Sequence, residues 1–252
     1  MVEPEPGREK PLRLGVGHLL LWTTATAIVA AVRSAWTDWD SFEPHTRNVV
    51  RIGHVPVAMV YGAALAVAWI FLSARLRGRT NFPSAPGHWL LLFLASAMAI
   101  DGVVSAVEIY DTRVLGPELS DREKQLFWHL RQFAMFFGGY VSCLLFTILT
   151  RHERRWLILY LFPASMLWVL LIIHGAILGR WLIFTPFWWA GLQWVQIVGA
   201  GSLALLGAAM AVYDLRRGPP RDWLHWTGLA AFFIGSCMFC GDRAYWLVQN
   251  WG

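Results

Sequence analysis

The chain has 252 residues, of which 57% are hydrophobic and 15% are charged, and its mean hydropathy is +0.47. Soluble domains are typically about 45–50% apolar and about 25% charged, so this composition excludes an ordinary soluble protein. The net charge of +5 does not indicate a nucleic-acid partner. The arginines cluster at the ends of apolar stretches, where they set membrane topology and meet anionic lipid.

Seven apolar stretches follow one another along the chain, and each is long enough to cross a bilayer. A helical span needs about 20 apolar residues, and in lipid its backbone must satisfy its own hydrogen bonds. We therefore predict an all-α polytopic membrane protein, a bundle of seven transmembrane helices in a single membrane domain over residues 1–252. The predicted spans are about 14–36, 52–74, 88–110, 126–150, 156–178, 187–213 and 224–248. The longest connections, 37–51 and 111–125, are predicted to be solvated linkers, with a short interfacial helix or a lid as the alternative.

The distribution of Lys and Arg predicts how the chain is oriented in the membrane. The N-terminus and three alternate loops together carry 12 of the 21 basic residues. We predict a location in the cell (inner) membrane, with the N-terminus cytoplasmic and the C-terminus outside. Tryptophans near both ends of the spans support this layout as two aromatic belts. If an impermeant reagent added outside the cell labels a cysteine placed at position 78, the predicted orientation is wrong and the opposite one holds.

A smaller set of polar residues lies inside the predicted spans, and much of it falls at one depth. A charged side chain at the centre of a span costs at least about 2.5–3.5 kcal/mol, so such groups usually face the bundle interior and pair. Counted at about 1.5 Å per residue, six helices place polar groups in the outer half of the bilayer. We predict an outward-facing pocket for a small ligand or ion, formed by Asp101, Glu108, Arg131, Gln193, Gln196, Asp242, Arg243 and Tyr245.

Three interpretations of this polar set remain open. In the first, Arg131 and Arg243 pair with the carboxylates in a structural ion-pair network. In the second, the carboxylates and histidines line a binding or transport cavity and relay protons or cations. In the third, His54, His129 and His174 bind a transition metal or haem in a membrane enzyme or electron carrier. A structural subunit with partners in a larger membrane complex is a further alternative.

Histidines and cysteines elsewhere in the spans have simpler interpretations. His88 and His225 each precede a tryptophan near the predicted inner face, a position typical of an interfacial anchor, with haem ligation as the alternative. Cys237 and Cys240 share a helix face and could bind a soft metal, but thiols pack well between helices, and we predict packing. Segments 72–89 and 212–226 both run basic, contain proline and close in His-Trp. This similarity can arise from topology alone, and a parallel internal repeat is the alternative.

Overall fold

The computed structural model describes residues 15–36, 44–77, 85–110, 120–151, 153–179, 186–218 and 221–251. In these ranges the chain forms seven α-helices, and a 3-10 turn (Arg154–Leu157) leads into the fifth. They are α1 (Val16–Trp36), α2 (Pro44–Leu76), α3 (Pro86–Tyr110), α4 (Asp121–Leu149), α5 (Ile158–Leu178), α6 (Pro186–Arg217) and α7 (Trp223–Trp251). Each contains a stretch long and apolar enough to cross a membrane. The prediction of an all-α, seven-helix integral membrane protein is confirmed.

Two helices, α2 and α4, begin well before their predicted starts. Helix α2 starts at Pro44 rather than at about 52, so the second half of the predicted linker 37–51 is helical. Helix α4 starts at Asp121 because Ser120 caps it: the Glu123 carboxylate accepts from the Ser120 N–H at 2.8 Å, and the Ser120 hydroxyl accepts from the Glu123 N–H at 3.4 Å. The remaining parts of the two predicted linkers, 37–43 and 111–119, lie outside the described residues.

Five of the helices form a closed ring. Helices α3, α4, α5, α6 and α7 each pack against the next, and α7 packs against α3. Helix α2 packs against both α3 and α7, and α1 packs against α2. Consecutive helices run antiparallel, so the starts of α1, α3, α5 and α7 meet the ends of α2, α4 and α6. We call this the basic end, because it carries Arg75, Arg77, Arg151, Arg154, Arg155, Arg216, Arg217 and Arg221.

Side chains from all five ring helices meet in one buried cluster near the basic end. The Phe146 ring lies between Trp89 and Tyr160, with ring centroids 6.2 and 5.9 Å away. Leu229 and Phe232 of α7 belong to the same cluster, and α6 side chains pack against it. Aromatic pairs of this kind stabilise a fold by about 0.5–1.5 kcal/mol beyond the contribution of the apolar area that they bury. This packing fixes the basic ends of the ring helices relative to one another.

Helices α3 and α7 cross at the basic end with their backbones in contact. A Cβ atom at Gly87 would overlap the backbone of His225, and a Cβ atom at Gly228 would overlap the carbonyl group of Gly87. Small residues at such positions allow helix backbones to approach closely. The crossing therefore brings the first turns of α3 and α7 together, along with the histidines that they carry.

Candidate functional site

Two of the predicted site histidines lie side by side between α4 and α5. The ring centroids of His129 and His174 are 5.8 Å apart. Trp128 and Phe136 pack against His174, with ring centroids 6.2 and 5.0 Å away, and His174 is only 2% exposed. Its Nδ1 lies 3.0 Å from the carbonyl oxygen of Leu170, which can only accept, so Nδ1 carries the proton and Nε2 presents a lone pair. That Nε2 is buried and makes no hydrogen bond within the described part of the chain.

Two predicted glutamines lie on the neighbouring helix α6. Gln193 is fully buried, and neither its amide nitrogen nor its amide oxygen has a hydrogen-bond partner among the described residues. The amide oxygen of Gln196 is in the same state. Leu192, which precedes Gln193, packs in one buried cluster with Phe136 and Leu170. An unpaired buried polar group costs about 1–3 kcal/mol, which a bound polar ligand would recover.

Asp101 belongs to a different group, between α1, α2 and α3. The guanidinium carbon of Arg33 lies 5.9 Å from the Tyr61 ring centroid, and Asp101 is half-buried within electrostatic reach of both residues. His54 is also a neighbour of Arg33. Arg33 is not among the predicted site residues, because it lies near the end of the first span, where arginines commonly mark topology.

The predicted residues of α7 lie along one helix near the end opposite the basic end. The side chain of Asp242 is 72% exposed, and Tyr245 is exposed as well. The Nε of Arg243 lies 3.8 Å from the Asp242 carboxylate, and its guanidinium group lies 4.9 Å from the Phe239 ring centroid. Both of these contacts join Arg243 to residues of its own helix.

The predicted site residues thus fall into four sets: the histidine pair between α4 and α5, the two glutamines on α6, the Asp101 group, and the α7 group. Arg131 is half-buried on α4, and the side chain of Glu108 lies outside the described residues. Across the described ranges, no group of three or more His, Cys, Asp or Glu side chains is arranged to hold a metal ion. The three-histidine metal or haem site, with His54 as a ligand, remains a prediction.

A second polar site, which sequence analysis missed, lies at the basic end. We expected His88 and His225 to be interfacial anchors, but the structure buries both rings, at 1% and 0% exposure, where α3 and α7 cross. His88 pairs with Asp222, and His225 faces Asp214. We call the whole set the His–Asp cluster; its members are His88, Glu153, Arg155, Asp214, Arg221, Asp222 and His225.

His88 connects the start of α3 to the start of α7. Its Nδ1 accepts from the Ala85 N–H at 3.4 Å, so its Nε2–H donates to Asp222 Oδ1 at 2.9 Å. The same oxygen accepts the N–H of His225 at 2.9 Å, which makes Asp222 the cap of α7. Burial alone would raise the pKa of Asp222, but hydrogen bonds and charge from His88 and His225 outweigh it and lower this pKa below its ordinary value. Asp222 is therefore held as a carboxylate.

His225 connects the same two helices in the opposite direction. Its Nδ1 accepts the N–H of Gly87 at 2.9 Å, so in the neutral ring the proton is on Nε2. Nε2 lies 3.4 Å from Asp214 Oδ2. The ring of Trp156 packs edge-on against the imidazole, with centroids 5.6 Å apart, and helps to enclose it. His225 therefore accepts a hydrogen bond from α3 with Nδ1, while its Nε2 faces Asp214 on α6 without forming a hydrogen bond among the described residues.

Asp214, near the end of α6, is the carboxylate that both arginines of the cluster contact. It is only 4% exposed, and its two oxygens lie 3.0 Å from Arg155 Nη2 and 3.2 Å from Arg221 Nε. Arg221 also reaches Glu153 at 3.4 Å. A buried carboxylate is tolerated when it is paired in this way. The cluster thus links α3 to three other parts of the basic end: the α4–α5 connection, the end of α6 and the α6–α7 connection.

The sequence does contain a signal for this cluster. Segments 72–89 and 212–226 both close in His-Trp, and the second also carries Asp214 and Asp222 on either side of its basic turn. A histidine three residues after an aspartate, as His225 is after Asp222, can be a partner rather than an anchor. The arginines of the same turn are also typical topology markers, and that interpretation predicts no carboxylate partner for them.

No family model, curated protein or solved structure matches the chain. Function is therefore inferred from the geometry of the chain's own side chains.

Proposed function

We propose that this integral membrane protein binds or transports a small ligand or ion within the membrane, and that the binding site is the His129–His174 pair between α4 and α5. The observation that carries the proposal is the Nε2 of His174, a buried lone pair without a hydrogen bond in the described chain. Gln193 supports it, because its buried amide also has donors and an acceptor to offer. A bilayer interior supplies no water to satisfy such groups.

The chemistry of an imidazole lone pair indicates the class of ion. It binds a proton or a transition-metal cation such as Zn²⁺, Cu⁺ or Fe²⁺, and it has little affinity for hard cations that prefer oxygen. Metal-binding histidines commonly donate their other ring N–H to a carbonyl oxygen, which orients the ring, as His174 does to Leu170. A metal-dependent membrane enzyme or electron carrier would use the same nitrogen as a metal ligand. Such an enzyme or carrier is therefore the second candidate function.

Replacement of His174 is expected to remove ion binding. The native protein in nanodiscs, equilibrated with Zn²⁺ or with Cu⁺ and then dialysed, should retain metal, and His174→Ala should bind it at least about tenfold more weakly, since each 1.4 kcal/mol is a factor of ten. Metal content is measured by mass spectrometry, and the nitrogen chemical shift of His174 Nε2 distinguishes a bare lone pair from a protonated or metal-bound one.

His18→Ala is the matched control, because His18 lies at the basic end beside Trp223 and should not change the metal content. The proposal of an ion site fails if the native protein retains no metal and the His174 Nε2 shift stays that of a bare lone pair between pH 5 and pH 8.

A further inference from the structure

Protonation of His225 is incompatible with the contact that this side chain makes to α3. Its Nδ1 accepts the N–H of Gly87 at 2.9 Å, and its Nε2 faces Asp214. An imidazolium ion carries a proton on both nitrogens and has no lone pair left to accept. A second proton would therefore place two donors, Nδ1–H and the Gly87 N–H, against one another, and one of them must move away.

Loss of this contact would act directly on the α3–α7 crossing. The Gly87 amide is among the first N–H groups of α3, which have no partner inside the helix. His225 is fully buried, so water cannot replace its Nδ1 while the two helices stay in contact. Gly87 is also where the two backbones touch. Proton uptake by His225 is thus coupled to separation of α3 from α7 at this point.

Burial and the charge of Arg221 disfavour an imidazolium ion at His225, whereas the carboxylates of Asp214 and Asp222 favour one. His225 faces Asp214 from α6, Arg221 and Asp222 from the segment before α7, and His88 from α3. Arg155 and Glu153 extend the cluster through Asp214 and Arg221, and on α1 His18 packs against Trp223. With neutral histidines, the three carboxylates of the cluster outnumber its two guanidinium groups. The occupied Nδ1 adds a geometric obstacle, because a second ring proton would meet the Gly87 N–H.

We propose that His225 is a proton-responsive latch that holds the start of α3 against α7 while it is neutral and releases it on proton uptake. This inference is independent of the proposed ion site, which lies at the other end of the bundle. It implies that a lower pH on the side of the membrane where the arginine-rich basic end lies opens that end of the five-helix ring.

The latch predicts a local, acid-induced increase in hydrogen exchange. Full-length protein in nanodiscs is compared at pH 7.5 and pH 5, with correction for intrinsic exchange rates, over peptides that cover residues 85–95. Exchange in the first turn of α3 should rise by up to about 30-fold, the change expected when a histidine of ordinary pKa near 6.5 titrates only in the open form. Asp222, whose pKa is lowered, stays ionised over this range, so the response reports on histidine.

Three variants separate His225 from its neighbours. His225→Asn keeps an acceptor for the Gly87 N–H but cannot take a proton, so the acid response should disappear. His88→Asn should retain it, and so should the control His18→Asn, which changes a half-buried histidine on α1. A native protein whose α3 exchange does not change with pH overturns the proposal, and so does a His225→Asn variant that still responds. If His225→Asn does not fold, His225→Gln replaces it, and loss of the response in His88→Asn alone would assign the latch to His88 instead.

Discussion

Gly87→Ala is expected to lower the apparent melting temperature of the purified protein by about 6–12 °C, which corresponds to roughly 3 kcal/mol for a chain of this size. The added Cβ would overlap the backbone of His225, and backbone cannot rotate away as a flexible side chain can. The helices would have to separate, which would lengthen the Gly87–His225 hydrogen bond as well. Intrinsic fluorescence of the 16 tryptophans provides the measurement.

Gly102→Ala is the matched control, because Gly102 lies on the same helix and a Cβ there would meet nothing within 4 Å. Replacement of a helical glycine by alanine should leave stability unchanged or raise it by up to about 1 kcal/mol. Gly228→Ala tests the other side of the same crossing and should be as damaging as Gly87→Ala. Equal melting temperatures for Gly87→Ala and Gly102→Ala would show that α3 and α7 do not touch at this point.

The helices were predictable because the bilayer imposes a minimum length and an apolar composition on each span. All seven predicted spans correspond to helices, and the main differences are at their ends. Helix α2 begins at Pro44, where the segment is too polar to be recognised by hydropathy, and the start of α4 depends on the Ser120–Glu123 capping contacts. Such ends are set by local hydrogen bonds rather than by the membrane.

The candidate site was predictable in depth but not in direction. Counting residues along a helix gives the height of a side chain, but which way it faces depends on how neighbouring helices pack. His129 and His174 come from adjacent helices of the ring and lie side by side. Asp242 was predicted at a similar depth in the membrane, but its side chain is largely exposed. The partner helix, which decides this, is set by tertiary packing and cannot be read from a single span.

The His–Asp cluster was missed for a different physical reason. Asp214, Arg221 and Asp222 lie at or beyond the ends of predicted spans, where charge is inexpensive and no partner is required. In the structure the ends of the helices pack together, so Asp214 is buried and the side chains of Arg221 and Asp222 are only 9% exposed, and such groups must pair. The positive-inside rule correctly explains why arginines are present at helix ends, but it does not predict which carboxylate each will meet.

Asp214→Asn is expected to destabilise the protein by about 3 kcal/mol, because removal of one partner leaves buried charge uncompensated. The side chain of Arg221 is 9% exposed and would lose the carboxylate that its Nε contacts, and His225 would lose the acceptor that faces its Nε2. Arg155 is about one-third exposed and can turn toward water, which keeps the expected loss near the lower end of the range for buried pairs. The apparent melting temperature should fall by about 6–12 °C.

Asp242→Asn is the matched control, since its carboxylate is mostly exposed and the same substitution there should change stability by no more than about 0.5 kcal/mol. A double-mutant cycle then isolates the ion pair. Arg221→Gln in the Asp214→Asn background should recover part of the loss, with a coupling energy of about 0.5–3 kcal/mol. Strictly additive effects of the two substitutions, or an Asp214→Asn variant as stable as Asp242→Asn, would mean that Asp214 is solvated rather than enclosed between Arg155 and Arg221. In that case the basic end would be open already at neutral pH, because His225 could not remain buried beside a hydrated carboxylate.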